Sequence, residues 1–167
     1  MQNMKIFGFA GFSGAGKTTL IEQLIPRFVM EGLKVSLIKH AHHGFDLDKP
    51  GKDSFRFRES GALEVMLVSD HRWVLMHELR GQAEPSLEEQ MARMSPCDLV
   101  LVEGFKATAI PKLEVHRAAN HKPLIYPDNA NVVALASDIR IESPLPWFDL
   151  DDLDAIADFI LRHQELK

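Results

Sequence analysis

GFSGAGKT occupies residues 11–18, and three glycines, a lysine and a threonine fall within those eight positions. It follows the apolar stretch IFGFA at residues 6–10. The spacing of Gly11, Gly16, Lys17 and Thr18 satisfies G-x-x-x-x-G-K-[ST], a loop that joins a buried strand to a helix and wraps phosphate. Each residue type has a physical task there. Glycines let the backbone turn successive N–H groups inward. Lys17 meets terminal phosphate oxygens as a point charge and is a candidate catalytic cation. The Thr18 hydroxyl is a candidate Mg²⁺ ligand. A helix that starts near Lys17 aims its positive dipole end at the same anion. The candidate nucleotide-binding residues are therefore Ser13, Gly14, Ala15, Gly16, Lys17, Thr18 and Thr19.

The flanking pattern agrees. Residues 4–10 read as a buried strand. Leu20, Ile21, Leu24, Ile25 and Phe28 form a helical apolar stripe after the loop. Pro26 sits in the middle of that helix and predicts a kink, and Gly32 predicts its C-terminal cap. Residues 35–38 read as a second strand. A short helix is expected around residues 53–61, with Asp53 or Ser54 near its cap. Residues 63–68 and 73–76 predict a hairpin about residues 69–72. Residues 86–94 predict a helix in which Ser86 and Glu89 form a capping box. Residues 99–102, 113–115 and 132–135 predict further strands. The last helix carries Leu153, Ile156, Ala157, Ile160 and Leu161 on one face, with acids at its start and Arg162, His163 and Lys167 at its end. Strands alternating with helices predict an α/β, P-loop NTPase-like fold: a mainly parallel β-sheet with helices on both faces. Residues 1–167 are expected to form a single nucleotide-binding domain. Met66, Met76, Met91 and Met94 are expected to fill the core.

A phosphate loop needs an acid for its metal, at the carboxyl end of a neighbouring buried strand. DLVLVEGF at residues 98–105 supplies Glu103 after an apolar strand, to hold Mg²⁺ through water or to polarise an attacking water. Asp98 stands at the wrong end of that strand. KHAHHGFDLDKPGKDS at residues 39–54 begins where the second strand ends. It reads as a switch-like loop sensing the third phosphate and its metal, with His40, Asp46 and Asp48 as its members. Asp46, Asp48 and Asp53 are its candidate magnesium partners, Asp53 being carried with Thr18 and Glu103 as a metal residue. His40, His42, His43, Asp46 and Asp48 also offer donors that suit zinc or nickel. Lys52, Arg56 and Arg58 form a basic cluster, either a solvated face or a contact for an anion. Lys106, Lys112, His116 and Arg117 are candidates for the mouth of the site.

Composition bounds the alternatives. With 19 basic and 24 acidic residues the formal net charge is −5, which argues against broad nucleic-acid binding. The one cysteine, Cys97, excludes an intrachain disulfide and argues against a zinc site built on thiolates. No apolar run approaches a membrane span, and no signal-peptide pattern opens the chain, so a cytoplasmic location is expected.

GFSGAGKTTL, LIKHAHHGFDLDKPGKDS, RFRESGA, LVEGFK and VVALASD occur in an order and spacing that resemble the molybdopterin-guanine dinucleotide biosynthesis proteins of the MobB type, from about residue 4 to the last helix. The resemblance implies a P-loop fold related to small GTPases and nickel-insertion GTPases, and a homodimer. It implies binding of GTP with Mg²⁺, slow hydrolysis, and assistance to a MobA-type guanylyltransferase that joins GMP to molybdopterin. Carried over by position, Gly14, Gly16, Lys17, Thr18 and Thr19 hold phosphate, and Thr18 and Glu103 hold magnesium. An Asn-Lys-x-Asp guanine-reading motif is missing: NHKP at residues 120–123 has the wrong order and no acid. Asp128 and Asn129, or Ser137 and Asp138, are the candidates to contact the base, since a carboxylate accepting two N–H bonds prefers guanine. The same residues leave open a small-molecule kinase and a metal-delivering GTPase built on the histidine loop.

Overall fold

The computed structural model describes residues 4–41 and 44–167. In chain order the elements are β1 (Lys5–Ala10), α1 (Lys17–Met30), β2 (Val35–Lys39), α2 (Asp53–Glu59), β3 (Glu64–Val68), β4 (Trp73–His77), α3 (Leu87–Ala92), β5 (Leu99–Glu103), β6 (Lys112–His116), β7 (Val132–Ser137), β8 (Trp147–Asp149) and α4 (Leu153–His163). They divide into two compact units. One takes residues 4–41 and 96–167, the other the described residues between 44 and 95.

The first unit is built on a six-stranded sheet in the order β2-β5-β1-β6-β7-β8, with every neighbouring pair parallel. β5 is buried along its whole length, as its unbroken apolar run requires of a strand covered on both faces. Phe7 and Phe9 of β1 face α1 and α4. They pack with Leu20, Leu24 and Phe28 of the first helix and Ile156, Ile160 and Leu161 of the second. Each fully buried side chain of this size contributes about 1.5–3 kcal/mol. On the opposite face Leu135 and Val132 meet Ile141, Leu124, Ile125 and Tyr126, the last opening a short 3-10 helix at Tyr126–Asp128.

α1 runs without a break through Pro26 to Met30. It ends as a Schellman motif: Gly32 N–H donates to Val29 O at 3.0 Å and Leu33 N–H to Phe28 O at 3.2 Å, with Gly32 at φ 84°. β8, three residues long, was not among the expected strands, because so short a stretch carries no alternation to read.

The second unit holds α2, an antiparallel β3–β4 hairpin and α3. The capping box forms: Ser86 Oγ accepts from Glu89 N–H, and the Glu89 carboxylate accepts from Ser86 N–H. α2 is capped by Lys52 with no side-chain bond, which leaves Asp53 in its first turn instead of at the cap. The methionine expectation fails at Met66, which is 56% exposed. The register explains it, because Met66 alternates with Val65 and points to the uncovered face of the hairpin.

Candidate functional site

The carboxyl ends of β2, β5, β1 and β6 lie along one edge of the parallel sheet, where open α/β sheets bind ligands. The 11–18 loop leaves β1 at this edge. Gly11, Gly14 and Gly16 adopt φ values of 145°, 79° and 95°, in the half of backbone space where side chains are strained. A Cβ on Gly11 would also strike the carbonyl oxygen of Val115, so this position is reserved for glycine twice over. Gly16 caps α1 without a side-chain bond, which leaves the first N–H groups of the helix turned toward the loop.

Lys17 curls back over the loop and donates to Gly11 O and Phe12 O, each at 3.0 Å. Partial burial pushes its pKa below the ordinary lysine value. The Glu103 carboxylate opposes that shift, and Lys106 and Lys39 add to it. Thr18 Oγ1 donates to Glu103 Oε1 at 2.8 Å. Glu103 is the last residue of β5, with its side chain only 10% exposed. Hydroxyl and carboxylate oxygens are the hard donors that Mg²⁺ takes. The pair expected from motif and strand end is thus in contact, beside the lysine of the loop.

Gly104 (φ 99°) turns the chain after Glu103, and a Cβ there would come within 3.0 Å of His40 Cβ. His40 N–H donates to Glu103 O at 2.9 Å, and its ring stands 4.9 Å from the Phe105 ring. His40 therefore lies against the turn that carries the acid.

Four further residues border the loop. Lys39 Nζ lies 3.1 Å from Glu103 Oε2 and 3.3 Å from Thr18 Oγ1. Asn120 Nδ2 donates to Ser13 O at 3.3 Å. A Cβ on Gly16 would lie 3.2 Å from Arg117 Nε. Lys106 stacks its ammonium over the Phe12 ring at 4.4 Å. Lys112, by contrast, is fully buried and donates to the carbonyls of Thr108 and Ile110, so it does not line the mouth. Glu114, equally buried, accepts from Ile125 and Tyr126 N–H at 2.7 and 2.8 Å, and desolvation raises its pKa against those bonds.

The aspartates of the switch-like loop lie in the other unit, where Arg58 gathers them. Its Nη2 reaches Asp46 Oδ1 at 2.8 Å and Asp48 Oδ1 at 2.7 Å, and its Nη1 reaches Glu78 at 2.9 Å. The Arg58 guanidinium holds the Asp48 carboxyl below the usual carboxylate range. Asp53 is exposed, 3.8 Å from Arg56. Arg58 thus belongs to an internal network and not to a solvated basic face. His42 and His43 lie outside the described residues. Among those described, no three His, Cys, Asp or Glu side chains are grouped to hold a metal.

Known proteins match this arrangement over most of its length. Residues 6–138 match the family described as MobB, molybdopterin guanine dinucleotide synthesis protein B. The chain belongs to the MobB family. A molybdopterin-guanine dinucleotide biosynthesis adapter protein of Escherichia coli (strain K12) is 41% identical over 159 residues, 93% of this chain and 91% of the relative. The adapter protein of Haemophilus influenzae is 42% identical over 155 residues, covering 93% and 86%. A crystal structure of molybdopterin-guanine biosynthesis protein B superposes with a TM-score of 0.76 at 25% identity, covering 95% of this chain and 99% of that one. Bacillus subtilis MobB superposes with a TM-score of 0.74 at 23% identity, covering 96% and 98%. The P-loop-like α/β fold and membership in a molybdopterin guanine dinucleotide synthesis family are thereby fixed. No helix among the described residues is long and apolar enough to cross a membrane.

Proposed function

We propose that the protein is a Mg²⁺-dependent GTP-binding adapter with slow hydrolytic turnover, which assists a MobA-type guanylyltransferase in attaching GMP to molybdopterin. The convergence of Thr18 and Glu103 beside Lys17 carries the nucleotide part of this reading. The names of the relatives carry the pathway part.

Lys17 is pre-positioned at the loop and exchanges two neutral carbonyls for the terminal phosphate oxygens. The free N–H groups at the start of α1 bind the same anion. Thr18 Oγ1 and Glu103 would hold the Mg²⁺, which when bound neutralises charge on the phosphates. Glu103 also orients a water against the terminal phosphorus. The buried setting of the acid keeps these dipoles fixed, so little reorganisation is needed.

We assign guanine reading to Asp138 in preference to Asn129. Asn129 is engaged in holding Lys106 O at 2.9 Å and Asn131 N–H at 3.1 Å. Asp138 directly follows β7, and its Oδ1 accepts from Ala118 N–H at 2.9 Å. Ala118 begins the short turn whose Asn120 bonds the phosphate loop, so Asp138 and the loop are linked through one short turn. The test is paired calorimetric titration with GTP and ATP, each with and without Mg²⁺, on the wild type and Asp138→Ala. Mg²⁺-dependent preference for GTP, reduced at least tenfold by the substitution with ATP binding unchanged, is expected. Equal binding of the two nucleotides by the wild type overturns the guanine assignment.

A further inference from the structure

We propose that Lys39 is a tethered cation that fills the divalent-metal position of the site and must leave before the metal binds. Lys39 ends β2 and Glu103 ends β5, and the two are paired in register across adjacent parallel strands. That register delivers one ammonium to both oxygens a metal would need, 3.1 Å from Glu103 Oε2 and 3.3 Å from Thr18 Oγ1. The hydroxyl and the carboxylate are themselves joined at 2.8 Å, so the three groups close a triangle.

The chemistry of each corner says which one moves. Glu103 is nearly buried at the end of a strand covered on both faces, and a carboxylate there needs a counter-charge. Thr18 is fixed in the first turn of α1. Lys39 is 53% exposed and carries its charge on a flexible four-carbon stem. An ammonium and a divalent cation repel each other too strongly to share two oxygens. Lys39 must therefore swing out when the metal enters, and the anion bound over the 11–18 loop is the acceptor that draws it.

This couples the two ligands. Without an anion, Lys39 satisfies Glu103 and competes with the metal. With an anion, the lysine has a new partner and the metal position opens, so each ligand strengthens the other by the same factor. The inference rests on Thr18 and Glu103 being the metal donors.

The test is binding of Mn²⁺ alone, followed by electron paramagnetic resonance, in the wild type, Lys39→Met, Lys39→Arg and Glu103→Gln. Methionine keeps the apolar stem and removes the charge. Lys39→Met is expected to bind Mn²⁺ about tenfold or more tightly than the wild type, as loss of one like charge at contact distance predicts. Lys39→Arg is expected to resemble the wild type, and the Mn²⁺ requirement for GTP binding is expected to flatten in Lys39→Met. Equal Mn²⁺ affinity in Lys39→Met and the wild type, with Glu103→Gln still abolishing Mn²⁺ binding in the presence of GTP, overturns the role of Lys39 alone. Mn²⁺ binding with GTP that survives Glu103→Gln overturns the metal assignment and the Lys39 proposal with it.

Discussion

Lys17 concentrates the residue-scale chemistry. Its ammonium is held by two carbonyls at 3.0 Å, and burial depresses its pKa despite the nearby Glu103. Lys17→Met should lower the affinity for Mg²⁺·GTP by about 10- to 100-fold, the range of a charge-assisted hydrogen bond worth about 1.5–3 kcal/mol. Calorimetry reads this directly, and unchanged affinity would remove the phosphate assignment. The pKa direction adds a signature. The free folded protein releases the Lys17 proton at a lower pH than the unfolded chain, so this group makes stability rise with pH through that window. A bound polyanion restores the proton. GTP binding should therefore take up protons at alkaline pH and weaken as pH rises, and Lys17→Met should lose this slope. Lys17, Thr18 and the glycines were legible because one continuous loop fixes their spacing. Glu103 was legible because a buried strand ends at it. Arg117 was expected at the mouth of the site and stands beside Gly16. Lys39 was not legible, because what brings it to the loop is the placement of β2 beside β5 and of β5 beside β1, which no local pattern encodes.

At the scale of elements, local signals succeeded where they were complete. The Ser86 capping box has both of its hydrogen bonds, and Gly32 takes the left-handed conformation that ends α1. Gly32 has open space around its Cα, so Gly32→Ala tests the backbone alone. The substitution should cost about 1 kcal/mol, the penalty of a left-handed non-glycine residue, partly offset by a stiffer unfolded chain. A lower urea midpoint with an unchanged slope is the expected result. An unchanged midpoint would mean that the helix end relaxes to another cap. Signals failed where an element is defined by its neighbours. β8 exists because β7 offers it an edge, and the 3-10 turn at Tyr126–Asp128 is anchored by a buried carboxylate on β6.

At the scale of the whole molecule, the unit between residues 44 and 95 leaves an apolar sheet face exposed. Its sheet has only two strands, β3 and β4, and a lone hairpin is marginal in water. Register places Met66 opposite Leu75 and Val68 opposite Trp73 on one face. All four are exposed, Val68 to 72% and Trp73 to 61%. A contiguous apolar face of this kind marks an interaction surface. Two copies related by a twofold axis would cover it with the same residues on each side, as an isologous homodimer does. We therefore expect the homodimer implied by the family resemblance to form through this face. Light scattering at tens of micromolar should return twice the chain mass of 18.8 kDa for the wild type and the single mass for the double substitution Met66→Asp and Trp73→Asp. Met66 and Trp73 lie in the unit of the hairpin, so an unchanged far-ultraviolet circular dichroism spectrum of the double variant separates loss of the dimer from loss of the fold. A monomeric wild type would refute the homodimer. A double variant that remains dimeric would place the interface on another surface.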